Sequence, residues 1–456
     1  MSDLNSPQEE QLLKEALAAA RDTRLLDAGP GARHRAAAVF AALFGSGRAV
    51  IVADENTFEA AGRDVHDSFA STRHSCAEPF IFDRSVYAST PHVDALYDAL
   101  KDSNATPVAV GSGTINDLTK LVAHRLGRPY MVVATAASMD GYTAYGASIT
   151  HQGSKQTFDC PAPQGVLADL DVIAKAPAGM NASGYADLLA KCAAGGDWIV
   201  ADEAGVEPID PPSWNAVQGL LRTWLASPGG IARNHPDCLR HLVHGLLMSG
   251  FAMQALRSSR PASGAEHQFS HLWDMQHHTA PSHGFKVGIG TLASLALYED
   301  LLARDAADFD IESAVERWPS CEGADERIAA MFGTGDLAST ACREMRAKHA
   351  TPEALRDQLT RLRTNWPRLQ ARLREHLLPF AEAREMLREA GCPFEPEQIG
   401  IPRERLRLSY QQAYFIRRRF TVLDLAERWG LMHPALDSIF STGGRWPMAM
   451  AEGTDR

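Results

Sequence analysis

The sequence predicts an α/β domain with a Rossmann-like parallel sheet, followed by an all-α domain. Three observations carry this. Short, almost wholly apolar runs stand at 49–53, 79–82, 106–110 and 130–134, separated by helical segments. Runs of that kind are the pattern of a parallel sheet buried on both faces. Each run is followed by Asp, Gly or Thr, and ligands of open α/β sheets bind at the carboxyl ends of strands. From Ala178 onward the chain reads as helix, with long Ala-, Leu-, Glu- and Arg-rich stretches punctuated by Pro211-Pro212, Pro228-Gly-Gly and Pro393. The expected domains are therefore 1–177, α/β, and 178–456, helical.

In chain order, residues 7–43 read as helical, opening at Ser6-Pro7 and broken near Gly29-Pro30-Gly31, with Pro tolerated in a first helical turn. The four strands follow, with helices between them. Farther on, the Arg-rich segments 353–363 and 368–374 read as solvated helix faces. The chain has 456 residues, 45% hydrophobic and 22% charged, which suits a globular protein of two or three domains. The net charge of −11 offers no footprint for nucleic acid, and Arg417–Arg419 reads as an interface or a solvated helix face. No apolar run reaches the roughly 18 residues of a membrane span. The acidic N-terminal stretch lacks the apolar segment of a signal peptide. Seven scattered cysteines without C-x-x-C suggest a reducing cytoplasm, most of them as small core residues.

After the third run comes Gly111-Ser-Gly113-Thr-Ile-Asn-Asp117, a strand, a glycine turn and a helix start. Glycines admit a close phosphate, and the exposed helix N–H groups favour an anion. Asn116 stands where the third glycine of G-x-G-x-x-G would be. Asp54, just past the first run, can accept from an adenosine ribose hydroxyl or cap the next helix.

The densest chemistry lies at Gly264-Ala-Glu-His267-Gln-Phe-Ser-His271 and Ser282-His283-Gly284. His267 and His271 are four apart and share a helix face. With His283 they form a candidate metal set; His277 and His278 are surface residues or substitute ligands. Asp187, early in an apolar helix, supplies a carboxylate that burial would penalise unless it were paired or metal-bound. An ion pair with Lys191 at i+4 is the alternative. An Asp/His/His set leaves an open coordination position, as in catalytic sites. Asp140, in Ser138-Met-Asp140-Gly141 after the fourth run, can fix a substrate hydroxyl.

Together these segments resemble the glycerol-1-phosphate dehydrogenases, in the superfamily of iron-containing alcohol dehydrogenases and dehydroquinate synthases. The likeness runs from about Val50 to Ala426 and is nearest to the bacterial branch linked to arabinose operons. It is carried in order by 111–117, 135–149 (TAASMDGYTAYGASI), 181–191, 264–271, 282–291 (SHGFKVGIGT) and 416–425. The resemblance implies a dehydroquinate synthase-like fold, with NAD(P) on the first domain and metal and substrate on the second. It implies that Gly113, Thr114, Ile115, Asn116 and Asp117 cradle the NAD(P) pyrophosphate. Thr135, Ala136, Ala137 and Ser138 would line the nicotinamide side. Asp187, His267 and His283 would bind one divalent transition metal, zinc, nickel or iron. Asp140, Asp187 and His271 would contact substrate, with His271 and Asp187 catalytic. Ala144 stands where the family commonly has a serine that contacts the cofactor.

The implied reaction is reversible hydride transfer to C2 of dihydroxyacetone phosphate, giving sn-glycerol 1-phosphate. A polyol or polyol-phosphate dehydrogenase of the same superfamily is the alternative. Lys155 and Lys286 are candidates for the substrate phosphate. A homo-oligomer, a dimer or larger, is expected, with neither nucleic acid nor membrane insertion. A non-catalytic NAD-binding relic would be expected to have lost ligands, and Asp187, His267, His271 and His283 are all present.

Overall fold

The apolar runs are strands because each divides its side chains between two cores. In strand β1 (Leu25–Gly29) and strand β2 (Ala49–Asp54) the chain enters a sheet, and β2 shows the division well. Val50 and Val52 join one apolar cluster, whereas Ala49, Ile51 and Ala53 join the other. A strand buried on both faces has no polar face to alternate with, hence the continuous runs. The computed structural model describes residues 7–151, 154–278, 280–306 and 309–448.

The remaining strands are β3 (Phe80–Phe82), β4 (Thr106–Gly111), β5 (Met131–Ala134), β6 (Ala147–His151), β7 (Ser154–Phe158) and β8 (Gly165–Asp169). Six of them form a sheet in the order β1-β8-β5-β4-β2-β3, every pair parallel. The chain leaves β2 outward to β3 and returns on the other side of β2 as β4. That reversal is the topological switch point, where a crevice opens at the strands' carboxyl ends. The register Val52–Ala109 brings Asp54 level with Gly111 at this crevice.

Four strands, β1, β6, β7 and β8, lie outside the four runs of the sequence reading. Residues 25–29, taken as helical, are the edge strand β1. Its partner β8 lies about 140 residues later, a pairing that no local pattern announces. Strands β6 and β7 form an antiparallel hairpin outside the main sheet. Among the cysteines, all without disulfides, only Cys160, Cys192 and Cys392 are buried and the other four are half-buried. No helix among the described residues is long and apolar enough to cross a membrane.

The first helix, α1 (Pro7–Ala19), packs far from its neighbours in sequence. The second half of the chain is helical, as expected. Its centre is a 26-residue helix, Ala178–Glu203, whose residues 181–201 are all buried. A helix apolar or small on every side belongs inside a bundle. Among the helices packed against it are Pro236–Leu256, Ala265–Met275 and His283–Leu302. We call the four αA, αB, αC and αD. The Arg-rich segments are helices Pro352–Thr364 and Trp366–His376, which bury only their leucine and tryptophan stripes.

Helix α1 is tied down by a buried carboxylate. Glu9 accepts from the Trp224 indole at 2.9 Å and lies 3.1 Å from His241 Nδ1 and 3.0 Å from His244 Nδ1. Burial alone would raise its pKa, but the two histidines outweigh burial and take it from 4.5 down to about 2. A lowered pKa means stability that is fully present above pH 4.5 and lost as the pH falls through about 2. The expected contribution is about 3 kcal/mol. Glu9→Gln should lower the urea midpoint at neutral pH and flatten its fall below pH 4.5 relative to the parent protein. Parallel acid profiles of the two proteins would show Glu9 to be uninvolved.

Candidate active site

The loop after β5 lies against the start of αA, and the site forms at that contact. The Ala137 N–H donates to Asn181 Oδ1 at 3.1 Å, and the Asp140 N–H donates to Asp187 Oδ2 at 3.2 Å. Gly184 permits this approach. A Cβ there would stand 1.8 Å from the Ala137 carbonyl oxygen, which as backbone cannot rotate aside. Gly284, on αD, likewise meets the Ser183 carbonyl, where a Cβ would come within 1.9 Å. Gly184→Ala is expected to cost at least about 1–3 kcal/mol, as overpacking does. Thermal melting would check it, and an unchanged midpoint would mean that αA and the loop separate freely.

Asp187 is fully buried on αA, and so is Lys191 one turn later. Lys191 Nζ lies 2.7 Å from Asp187 Oδ1 and 2.8 Å from Asp140 Oδ2. Asp140 Oδ2 also accepts from Ser249 Oγ of αB at 2.8 Å. Burial works against the charge on Lys191, but Asp140 and Asp187 outweigh it and the pKa is raised. The ion pair at i+4 and a possible metal set thus coexist at Asp187, although the sequence offered them as alternatives.

Asp187, His267 and His283 each present one ligand atom, and these atoms all lie within 4.8 Å of one another. His267 Nε2 is 3.7 Å from Asp187 Oδ1, while its Nδ1 is 2.9 Å from Glu266 Oε1. A carboxylate on one ring nitrogen fixes the tautomer and turns the other nitrogen to a metal, as in many metal sites. The donor set of one carboxylate and two imidazoles fits a divalent transition metal with open positions. His271 stands beside this set, its ring centroid 6.1 Å from that of His267 and 6.3 Å from that of His283. Its Nε2 lies 3.2 Å from Arg417 Nη2.

The glycine turn is divided between fold and site. The Ile115 side chain is core, and a Cβ on Gly111 would stand 2.6 Å from Ile115 Cβ. Asn116 Oδ1 accepts from the Tyr130 hydroxyl at 3.1 Å, and Asp117 Oδ2 from the Ser148 N–H at 3.2 Å. What this turn offers an anion is the backbone N–H groups of the helix that starts at Gly113. Asp54 caps the helical turn Glu55–Thr57, its Oδ1 accepting from the Thr57 N–H at 2.9 Å. Thr135 lies beside Gly111, to whose carbonyl its N–H donates at 3.2 Å. The Ala136 carbonyl accepts from the Tyr142 hydroxyl at 2.7 Å, and the Ser138 carbonyl faces Ser183 Oγ at 3.4 Å. Ala144 is buried in a small apolar cluster with Met253 and Ala262.

Several expectations fail on geometry. Lys286 is a buried partner of Asp274 and donates to the His278 carbonyl, so its charge is already compensated. The expectation for Lys155, which lies in β7 opposite Thr150, concerns a side chain outside the described residues and is not among these failures. His278 Nε2 contacts the Ile399 carbonyl at 2.5 Å and does not join the metal set. The 417–419 run is not a solvated face: only Arg418 is exposed, paired with Glu344 at 2.9 Å. Glu266, Ser249 and Arg417 escaped the sequence reading as parts of the site. Glu266 alone had a local signal, its adjacency to His267.

The profile of the family described as iron-containing alcohol dehydrogenase matches residues 27–177. Glycerol-1-phosphate dehydrogenase (NAD(P)+) of Geobacillus stearothermophilus is 30% identical over 390 residues, covering 82% of this chain and 85% of that protein. The protein of the same description from Halalkalibacterium halodurans is 37% identical over 211 residues, 45% of this chain and 53% of that one. Among solved structures, a probable glycerol dehydrogenase from Sinorhizobium meliloti superposes with a TM-score of 0.59 at 16% identity, covering 91% of this chain and 98% of that one. That likeness shows the shared fold. With the Geobacillus match extending along most of both proteins, the chain belongs to the glycerol-1-phosphate dehydrogenase family, within the iron-containing alcohol dehydrogenases.

Proposed function

We propose that the protein interconverts dihydroxyacetone phosphate and sn-glycerol 1-phosphate with NAD(P)H and one divalent metal. The observation that carries this is the convergence of Asp187, His267 and His283 beside His271, against the loop that follows β5. A bound metal would supply Lewis-acid polarisation of the C2 oxygen, and reduced nicotinamide a hydride for C2.

The chain's own residues do the rest. Asp187, His267 and His283 would hold the metal, and Glu266 orients His267. Lys191 offsets the carboxylates of Asp187 and Asp140, which would otherwise repel each other across the site. Asp140 keeps Oδ2 on Ser249 and Lys191, and presents Oδ1 to a substrate hydroxyl. A guanidinium only donates, so the Arg417 contact requires an unprotonated His271 Nε2. The neutral ring then carries its proton on Nδ1, from which it serves the C2 oxygen. The N–H groups at Gly113 and Thr114 would receive the pyrophosphate. Thr135 to Ser138 would flank the nicotinamide, and Asp54 would meet the ribose, where its carboxylate would disfavour a 2′-phosphate.

A homo-oligomer is part of this reading. Ile81, on the edge strand β3, and nearby Tyr87 are exposed apolar groups that support a self-contact there. Seven cysteines without disulfides support a reducing compartment such as the cytoplasm.

The test is NADH oxidation with dihydroxyacetone phosphate by protein stripped with a chelator and reloaded separately with zinc, nickel or iron. Metal-restored turnover giving the sn-1 product is the expected result. Absence of turnover with every metal, in protein that still binds NADH, would overturn the substrate and leave a sibling polyol dehydrogenase.

A further inference from the structure

The segment between helices Arg403–Ala413 and Val422–Arg428 brings cationic side chains to the site. Arg417 and Arg419 are half-buried, unlike the exposed Arg418 between them. Arg419 is used up by the fold, donating to the Ser263 carbonyl at 2.6 Å, the Ser259 carbonyl at 3.3 Å and Ser259 Oγ at 3.0 Å. Arg417 is different. Of its five N–H donors, one meets His271 Nε2, and among the described residues no carbonyl or carboxylate accepts from the others. Neither Arg417 nor Arg419 has a carboxylate within ion-pair distance among the described residues.

Glu344 offsets part of the charge of Arg417, and Glu207 and Glu266 part of that of Arg419, but with no carboxylate in contact each guanidinium remains costly to bury. Burial pushes Arg417 below its ordinary pKa, and burial with the charges of Arg260 and Arg417 pushes Arg419 down to about 9. In a chain of net charge −11, this concentration of positive charge with no carboxylate in contact with Arg417 or Arg419 among the described residues stands out. It sits against His271, whose ring lies within 6.3 Å of the metal-set histidines. An anion arriving with the substrate would supply the close counter-ion that Arg417 lacks among the described residues. A planar guanidinium with free donors matches the oxygens of a phosphate.

We propose that Arg417 receives the phosphate of the substrate and sets the preference for phosphorylated over free trioses. Lys286, the other described cation considered for this role, is neutralised by Asp274. The inference rests on the triose-phosphate reading above and adds the residue that reads the phosphate. One guanidinium then serves two ends of the substrate's environment, holding His271 through Nη2 and the phosphate through its remaining donors.

The experiment compares metal-loaded wild type with Arg417→Gln and Arg417→Lys. It measures kcat/KM for dihydroxyacetone phosphate and for dihydroxyacetone, and the binding of inorganic phosphate by calorimetry. Arg417→Gln should lower the ratio of the two specificity constants about 10–100-fold, the worth of one to two charge-assisted hydrogen bonds. It should weaken phosphate binding by a similar factor, and Arg417→Lys should recover part of both. An equal loss with both triose substrates, with phosphate binding unchanged, would overturn the inference by showing that Arg417 merely supports the fold. Should Arg417→Gln not fold, the same ratio in Arg417→Lys decides. A wild type that reduces dihydroxyacetone and not its phosphate would sink the triose-phosphate reading instead, and calorimetry would still report on Arg417.

Discussion

His267→Ala and His283→Ala are each expected to leave purification without bound metal and to lose turnover by at least about 1,000-fold, the scale of removing a principal electrostatic catalyst. Each removes one of the three proposed ligands, whose donor atoms already lie within 4.8 Å of one another. Two ligands with no third cannot hold a divalent ion against water and buffer at ordinary concentrations. Glu266→Gln should be milder. It leaves the ligands in place and weakens the hold on His267 Nδ1, so metal affinity should drop about 10–100-fold. His271→Asn separates the roles, because His271 is not a member of the set. That variant should keep one metal per chain and still lose most of its turnover. Metal analysis of the purified proteins beside NADH oxidation would decide. Stoichiometric metal and full turnover in His267→Ala would exclude the assignment.

Lys191→Met is expected to be the most destabilising single change near the site. Lys191 is completely buried and contacts two carboxylates, Asp187 at 2.7 Å and Asp140 at 2.8 Å. Removing one partner of a buried ionic group leaves its charges uncompensated and costs about 3–5 kcal/mol. Here two anions are left facing each other, so the cost belongs at the upper end, with activity lost through displacement of Asp187. Adding Asp140→Asn to Lys191→Met should recover part of the stability, since it removes one orphaned charge and keeps an acceptor for Ser249. Urea midpoints of the three proteins measure this. Additive destabilisation in the double variant would show that the three groups do not act as one network.

The four apolar runs became β2 to β5 with their ends shifted by at most a residue or two. Their pattern was local, because a doubly buried strand must be apolar throughout. The His267, His271 and His283 cluster was legible for a related reason, since two of the three share one helix face. Strand β1 was not, because LLDAG carries too little apolar length to show its burial, and its only sheet partner is β8. The glycine turn was legible as a strand-to-helix junction, whereas the division of labour within it was not. Only the positions of Tyr130 and Ser148 show that the Asn116 and Asp117 side chains serve the fold.

Two residues mark the border between what the chain alone determines and what folding decides. By itself the sequence determined the strand and helix periods, the glycine turn and the candidate set of metal-binding residue types, since each depends on spacings of a few positions. Only the tertiary structure decided that Lys191 compensates both Asp187 and Asp140, the second of them 51 positions away. It alone turned Arg417 from one of three adjacent arginines into the one that meets His271, 146 positions earlier. Charge compensation and desolvation depend on distance in space and on burial. Neither is set by separation along the chain.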